Sequence, residues 1–260
     1  MLTLKVYAKE FDSFMKIALF SDIHANLPAF EATMRSIDER KPDAIYCLGD
    51  LVGYNVWPNE IIKEIRHRGI ATIAGNHDVK AIRLSESQLA ENGKNFAYSI
   101  IDTEHKEYLA TLPAHIRIEF ALNNQTLNLL LVHGSPSSNE EYLLEDKEEE
   151  SFLNVFKNAN ADILCFGHSH KPYHRILSET TDSEIHYRHA INIGSVGKPK
   201  DGDARSCYVL LTIHRFSNTK IAESIDVEFV RVSYDVKKAA KAVEESPLPN
   251  EFADMLRKAY

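Results

Sequence analysis

Apolar runs separated by polar or turn-forming residues recur along the chain and predict a fold rich in β-structure. Short runs of aliphatic, aromatic and β-branched residues are typical of buried strands. They predict strands at 15–21, 44–49, 70–74, 116–121, 127–133, 162–166, 173–177, 189–193, 206–213 and 225–234. Asn123-Asn124-Gln125 interrupts the pattern between the fourth and fifth runs, which indicates a β-hairpin at this point.

Helical periodicity fills the gaps between the early strands. The first predicted helix carries apolar residues at helical spacing, namely Leu27, Phe30, Met34 and Ile37. Asn26 is its expected N-cap, and Pro28 fits its first turn. A second helix is predicted from Pro58 to Gly69. Four further segments are predicted to be helical in whole or part: 79–110, an acidic helix or loop at 139–157, 235–245 and 250–259.

The order of these elements predicts an α/β fold. Strand–helix–strand–helix–strand in the first third favours a parallel sheet, and the later strands with tight turns favour a second sheet packed against it. We expect one domain over residues 15–260, with a small helical cap insert around 79–110. Residues 1–14 are expected to be an N-terminal extension outside the core fold.

Composition narrows the class of protein only mildly. A chain of 260 residues with 44% hydrophobic and 26% charged residues is ordinary for a globular protein. No apolar stretch approaches the roughly 18 residues that span a bilayer, and charged residues interrupt any signal peptide. The cysteines, Cys47, Cys165 and Cys207, lie in apolar runs and are expected to be buried free thiols. The expected location is therefore the cytoplasm, without a membrane partner.

The charge argues against one class of partner. A net charge of −8 is unsuited to wrapping long nucleic acid, which requires a broad basic face. It is compatible with a small phosphorylated substrate if two divalent cations, about +4 together, make the pocket positive.

Five short polar motifs follow directly on apolar runs: Asp22-Ile23-His24, Gly49-Asp50, Gly75-Asn76-His77-Asp78, His133-Gly134 and Gly167-His168-Ser169-His170. The carboxyl ends of parallel strands are where open sheets bind ligands, and Asp22, Asp50 and Asn76 fall at such ends. Each motif alone has an ordinary explanation, such as a turn, but their joint occurrence favours a pair of metal ions. The predicted ligands are Asp22, His24, Asp50, Asn76, His133, His168 and His170.

In this order the motifs resemble the calcineurin-like metallophosphoesterases, from Met15 to about residue 215. The resemblance implies an α/β fold of two mixed β-sheets packed face to face with helices on the outside, a four-layer sandwich. It implies one metal held by Asp22, His24, Asp50 and His170, and a second held by Asp50, Asn76, His133 and His168. It also implies that His77 acts at the leaving group and that Asp78 orients His77.

Two further stretches narrow the resemblance. Gly194-Ser195-Val196-Gly197-Lys198-Pro199 and Gly49-Asp50-Leu51-Val52-Gly53-Tyr54 are similar to a small bacterial subgroup of phosphodiesterases, which includes an asymmetrical diadenosine tetraphosphate hydrolase. Manganese and iron are the expected metals, with zinc or nickel as alternatives. The chain departs from the usual pattern at Ala25 and at Asn55-Val56-Trp57, and the second departure lies near the expected pocket mouth.

The expected activity is hydrolysis of phosphodiester or phosphoanhydride bonds of nucleotides, for example of diadenosine tetraphosphate to ATP and AMP. A metal-bridging hydroxide would attack phosphorus, while a cationic His77 would donate a proton to the leaving group. The alternatives are a phosphomonoesterase or phosphoprotein phosphatase, and a scaffold without activity. The scaffold is less favoured because every expected ligand position is filled.

Residues that contact the substrate are harder to predict. Tyr54 and Trp57 would stack on a base or pack on the following helix. Asn26 would contact phosphate or only cap its helix. Basic residues beside the Gly194–Gly197 loop would bind a distal phosphate or form a surface cluster: Lys198, Lys200 and Arg205. Of Phe96 and Tyr98 in the cap insert, one is expected to be buried. Residues 216–260 are the candidate contact of a homodimer.

Overall fold

The structure is a computed structural model, and it describes residues 2–7, 13–90, 93–122, 125–181 and 183–260. The strands are β1 (Leu2–Tyr7), β2 (Phe14–Phe20), β3 (Ala44–Cys47), β4 (Ala71–Thr72), β5 (His115–Leu122), β6 (Gln125–Val132), β7 (Ile163–Phe166), β8 (Tyr173–Thr181), β9 (Glu184–Asn192), β10 (Ser206–His214) and β11 (Ile225–Val232). The helices are α1 (Leu27–Arg40), α2 (Pro58–His67), α3 (Asn76–Arg83), α4 (Glu86–Leu89), α5 (Phe96–Ser99), α6 (Thr103–Thr111), α7 (Glu149–Ala159), α8 (Val236–Glu244) and α9 (Glu251–Lys258). Within the described ranges, every helix is too short or too polar to cross a membrane.

Two mixed sheets occupy the centre of the fold. One has the strand order β11-β10-β2-β3-β4 and the other β1-β5-β6-β7-β9-β8. In the first, β2, β3 and β4 run parallel, as the sequence predicts, and β10 pairs antiparallel with β2. In the second, β6, β7 and β9 run parallel.

Alternation along the strands divides the core into layers. On β2, Ile17 and Leu19 belong to the buried cluster between the two sheets, whereas Phe20 belongs to the cluster beneath α1 and α2. On the far side, Phe152 and Phe156 of α7 cover the outer face of the six-stranded sheet. The arrangement is the predicted one: two mixed sheets face to face with helices outside.

The ten predicted strands all occur, with shifted bounds. The predicted hairpin joins β5 and β6, which pair antiparallel, although Asn123 and Asn124 lie outside the described residues. One prediction is wrong for β10 and β11. They extend the first sheet instead of joining the second, because β10 pairs with β2 along the edge opposite β3.

Strand β1 was not predicted from the sequence. It pairs in parallel with β5, in a register that runs from Leu2 opposite Ile116 to Tyr7 opposite Ala121. The N-terminal segment therefore adds an edge strand to the six-stranded sheet. A domain boundary at residue 15 stays a prediction.

The helices agree with their sequence signals. The Asn26 side chain accepts a hydrogen bond from the Ala29 amide at 3.3 Å and caps α1. Pro58 begins α2, and Gly69 follows it with a φ of +63°. The predicted cap insert contains most of α3 and the short helices α4, α5 and α6. At the C-terminus, α8 and α9 pack on each other in an apolar cluster of their own.

Candidate metal centre

The predicted ligands lie where neighbouring strands end. Asp22 follows β2, Asp50 follows β3, and Asn76 is the first residue of α3, which follows β4. His133 comes directly after β6, while the loop after β7 supplies His168 and His170. Both sheets thus contribute side chains to one place, which we call the metal centre: Asp22, His24, Asp50, Asn76, His133, His168 and His170.

The centre brings carboxylates and imidazoles within coordinating distance of one another. Asp22 Oδ1 lies 3.0 Å from His170 Nε2 and 3.6 Å from His24 Nε2. Asp50 Oδ2 lies 3.6 Å from His24 Nε2 and 3.4 Å from His133 Nε2. The groups Asp22–His24–His170 and Asp22–Asp50–His133 each hold their ligand atoms within 4.8 Å of one another.

The outer nitrogens of the four histidines all contact backbone carbonyls. Nδ1 of His24, His133 and His170 lies 3.0, 2.8 and 2.5 Å from the carbonyl oxygens of Val52, Leu48 and Lys198. Nε2 of His168 lies 3.2 Å from that of Glu140. A carbonyl only accepts, so each of these nitrogens carries a proton and donates it. The opposite nitrogen of each ring then offers its lone pair to a metal.

The donor set fits metal ions because its lone pairs have no other partner. His24 Nε2 lies 3.1 Å from His170 Nε2, and in the neutral form of each ring this is the nitrogen without a proton. Asp22 Oδ1 and Asp50 Oδ2 are buried and accept no hydrogen bond in the described structure. Buried lone pairs facing one another without a proton or cation between them are strongly unfavourable. Metal cations satisfy all four atoms.

The shifted pKa values of these groups also indicate that the site favours positive charge. Burial alone would raise the pKa of Asp22, but His170 and His24 hold it well below its usual range. Burial likewise opposes charge on His133, yet the Asp50 carboxylate raises the pKa of His133 to about 10. In the metal-free protein a proton on His133 therefore supplies part of the charge that Asp50 requires.

Backbone strain is concentrated in the same residues. Asp22, His24, Asp50, His168 and His170 all have positive φ, between 48° and 65°. This region is sparsely occupied by residues other than glycine and is found at functional sites.

Glycines in the motifs allow the loops to approach one another. A Cβ on Gly75 would lie 2.1 Å from Asp50 Oδ1, and one on Gly167 would lie 2.5 Å from Asp22 Oδ2. The glycine that precedes Asn76 or His168 is therefore required by space around a carboxylate ligand, and its turn-forming property is secondary.

His77 lies at the rim of the metal centre. Its amide donates to Asp50 Oδ1 at 2.8 Å, and its Nδ1 lies 2.5 Å from the Tyr98 hydroxyl. Its ring is close to those of His24 and Tyr54, with centroids 4.9 Å away in both cases. Burial lowers the pKa of His77 to about 3, which favours the neutral imidazole over the cationic form expected from the sequence.

Asp78 does not hold the His77 ring as expected. Its two carboxylate oxygens accept hydrogen bonds from the amides of Asp50, Leu51 and Gly75, at 2.8 to 2.9 Å. Asp78 therefore joins the loop of Asp50 to the loop of Asn76. The contact to the His77 imidazole comes instead from Tyr98, which α5 of the cap insert supplies.

Two of the residues predicted to bind substrate lie beside the centre. The Tyr54 ring is 4.8 Å from the His24 ring, and the Lys198 ammonium lies 4.7 Å above the Tyr54 ring. Burial lowers the pKa of Lys198 to about 8. Lys200 is half-buried, and the negative charges of Asp22 and Asp50 attract its ammonium.

Three others are occupied elsewhere. Asn26 is fully buried, and its amide donates to the Gly197 carbonyl at 2.9 Å in addition to capping α1, so these contacts support the capping alternative. Trp57 packs against the α8–α9 cluster. Arg205 is exposed and pairs through two nitrogens with Asp203, as expected of a surface cluster.

Two aromatic residues matter more than the sequence indicated. Tyr98 is buried as expected of one of the pair with Phe96, but its contact with His77 had no signal in any motif. Tyr142 lies in an acidic loop and stacks on His168, with centroids 4.2 Å apart and an interplanar angle of 16°. Its residue is 51% exposed, so an open aromatic surface borders the metal centre.

Comparison with known proteins agrees with this geometry. The profile of the calcineurin-like phosphoesterase superfamily domain matches residues 15–215. An uncharacterized protein of Methanocaldococcus jannaschii is 32% identical over 257 residues, covering 92% of this chain and 96% of that protein.

Two solved structures resemble the whole chain. A metallophosphoesterase from Sphaerobacter thermophilus matches with a TM-score of 0.74 and 28% identity, over 96% of this chain and 100% of that one. A hypothetical protein from Pyrococcus horikoshii has the same fold, with a TM-score of 0.73 and 20% identity, over 95% and 99% of the two chains. The motifs, the buried donor set and the matched profile together establish that this chain belongs to the calcineurin-like phosphoesterase superfamily.

Proposed function

We propose that the protein is a two-metal phosphohydrolase acting on phosphodiester or phosphoanhydride bonds of nucleotides. Diadenosine tetraphosphate, cleaved to ATP and AMP, is the first candidate substrate, from the resemblance of its sequence motifs. The observation that carries the proposal is the set of buried, mutually facing lone pairs of Asp22, Asp50, His24 and His170, which a cation must satisfy.

The family pattern implies ligands for two ions, and the contacts are compatible with that division. Asp22, His24, Asp50 and His170 would hold one, and Asp50, Asn76, His133 and His168 the other. Manganese and iron suit these mixed oxygen and nitrogen donors, with zinc or nickel as alternatives. When bound, such ions lower the pKa of a water nucleophile and neutralise phosphoryl oxygens.

We assign the role at the leaving oxygen to His77, because it lies beside the predicted metal ligands. If the Tyr98 hydroxyl donates to Nδ1, the ring proton is on Nε2, which is then free to donate to an oxygen of the substrate. A neutral donor fits the lowered pKa of this histidine better than the cationic acid expected from the sequence. The backbone bond from His77 to Asp50 fixes the ring beside the metal ligands.

The nucleotide part of the proposal rests on Tyr142. One face of its ring stacks on His168, and half of the residue is exposed. An exposed aromatic ring can stack on a purine base, which contributes about 1–3 kcal/mol per base.

Product analysis tests the proposal. The manganese-loaded protein is incubated with diadenosine tetraphosphate, bis(p-nitrophenyl) phosphate, p-nitrophenyl phosphate and a phosphoserine peptide, and metal content is measured in parallel. ATP plus AMP from the wild type, with an about 10²- to 10⁴-fold slower His77→Asn variant of unchanged metal content, supports it. Cleavage of only the monoesters would replace it with the phosphatase alternative.

A further inference from the structure

Among the residues that the structure describes, Lys198 is a buried cation with no carboxylate in ion-pair contact. The residue is 2% exposed, and no carboxylate of the described residues lies within 4.0 Å of its ammonium. Lysine is almost never buried to this extent unless it is paired, because desolvating the ammonium is costly.

The backbone of Lys198 belongs to the metal centre. Its carbonyl accepts the hydrogen bond from His170 Nδ1, and its amide donates to Ser195 Oγ at 2.9 Å. Gly197 fits against the Ile23 carbonyl, where a Cβ would lie at 1.8 Å. The position of Lys198 relative to Asp22 and His170 is therefore fixed by the same contacts that build the centre.

The side chain reaches the rim through Tyr54. The ammonium lies 4.7 Å from the centroid of the Tyr54 ring, which also contacts the rings of His24 and His77. The charged groups that act on it most are Lys200, Asp22 and Glu251, of which Lys200 repels it. Metal ions held by Asp22 would compensate that carboxylate and leave the ammonium with still less negative charge around it.

We propose that Lys198 forms an anion subsite beside the metal centre, which binds a phosphate of the substrate other than the one being attacked. The proposal rests on the proposed function and specifies its substrate class as compounds with two or more linked phosphates. A preorganised ammonium forms a charge-assisted hydrogen bond with a phosphate oxygen, so a second phosphate bound there would add to the affinity that the metals supply.

Binding to the metal-loaded protein tests this without turnover. The probes are inorganic phosphate and imidodiphosphate, whose P–N–P link resists hydrolysis, titrated calorimetrically with metal content measured before and after. In the wild type imidodiphosphate should bind about 10-fold or more tightly than phosphate, and Lys198→Met should reduce that ratio about 10-fold. Lys198→Arg retains a cation and should preserve most of the preference for imidodiphosphate over phosphate.

A charge-matched control separates the subsite from the net charge of the protein. Lys63 is exposed on α2, and Lys63→Met makes the same change in net charge. A ratio that is equal in Lys198→Met, Lys63→Met and the wild type would overturn the proposal. If the protein hydrolyses none of the nucleotides but Lys198→Met still lowers the ratio, the subsite stands and the proposed function fails. If it hydrolyses a nucleotide while the ratio is independent of Lys198, the proposed function stands and the subsite fails.

Discussion

The same strands form two regions: the apolar core between the two sheets, and the metal centre at the ends of the strands. The two regions are stabilised in opposite ways. Along β2, Ile17 and Leu19 are fully buried in apolar contacts and have ordinary extended backbone. Two residues beyond the strand, Asp22 is equally buried but has positive φ and an oxygen without a hydrogen-bond partner. The apolar core contributes stability to the fold. The rest of the fold holds the metal-centre residues in an unfavourable conformation.

This contrast predicts how mutations in the two regions differ in their effects. A change in the core should cost stability and leave chemistry intact in the molecules that remain folded. A change in the metal centre should cost chemistry with little loss of folded protein. Measuring unfolding, metal content and steady-state kinetics on the same preparation of each variant separates these two quantities.

The largest effect is expected at Asp50. Asp50→Asn removes a carboxylate oxygen that faces both His24 and His133, and with it the charge that attracts metal. Activity on the best substrate should fall about 10³-fold, since several kcal/mol of charge stabilisation are lost. Metal content should fall as well, while the unfolding transition stays cooperative. Wild-type metal content in this variant would show that Asp50 is not a ligand.

Leu129→Ala reverses the pattern. Leu129 is fully buried between the sheets and lies opposite Ile118 and Ile163, far along β6 from His133. The cavity should lower the free energy of unfolding by about 2–5 kcal/mol. Denaturant unfolding measures this loss, and kcat/KM below the transition should match the wild type. A large loss of kcat/KM in the folded fraction would contradict the separation of core and centre.

Asp78→Asn is expected to have an effect between these extremes, because Asp78 stabilises the backbone of two loops that carry metal ligands. The Asn side chain has only one oxygen and cannot accept all three backbone hydrogen bonds. At least one buried backbone N–H of Asp50, Leu51 or Gly75 therefore loses its partner. We expect an unfolding cost of about 1–3 kcal/mol and a metal affinity lower by about 10- to 100-fold. If only kcat falls, Asp78 acts through His77 after all.

The contrast also explains what could be predicted from sequence. Asp22, Asp50 and His133 follow apolar strands directly, so the pattern that predicts the strand also places the ligand at its end. Lys198 and Tyr142 depend on how distant loops meet, and no local pattern encodes such contacts. Asp78 illustrates the limit most clearly. The motif identifies the residue, but only the fold shows that its oxygens bind the amides of a second loop.

The same limit applies to the sheets. The order of strands and helices predicts a parallel start, and β2, β3 and β4 confirm it. It could not assign β10 and β11 to the first sheet, because both alternatives bury equally apolar faces. Nor did it reveal β1, since a short run with lysine at its centre has little hydrophobic signal of its own.

A smaller effect is expected at Tyr98. Tyr98→Phe removes the hydroxyl that contacts His77 Nδ1 and leaves the ring in its buried position. Loss of one such hydrogen bond, about 0.5–1.5 kcal/mol, should lower kcat about 3- to 10-fold with metal content and KM unchanged. Tyr108→Phe, which alters a half-buried tyrosine of α6, is the control. Equal effects in the two variants would remove any special role for the Tyr98 hydroxyl.

The smallest effect is expected at the edge strand. Deleting residues 1–12 removes β1, which pairs with β5 at the edge of its sheet and whose side chains are mostly exposed or half-buried. An edge strand can be lost without opening the core, although β5 is then left unpaired on one side. Thermal unfolding should shift by only a few degrees, about 2–4 °C for each kcal/mol lost, and kcat/KM should not change.

A deletion of equal length at the other end of the chain is the matched control. Removing residues 249–260 takes away Phe252, whose ring contacts the Tyr54 ring with centroids 4.9 Å apart. That deletion should impair catalysis, because Tyr54 also contacts His24 and His77. If removal of β1 impairs catalysis as much as removal of residues 249–260, then the edge strand also supports the metal centre, and the proposed division between stability and chemistry is wrong for this strand.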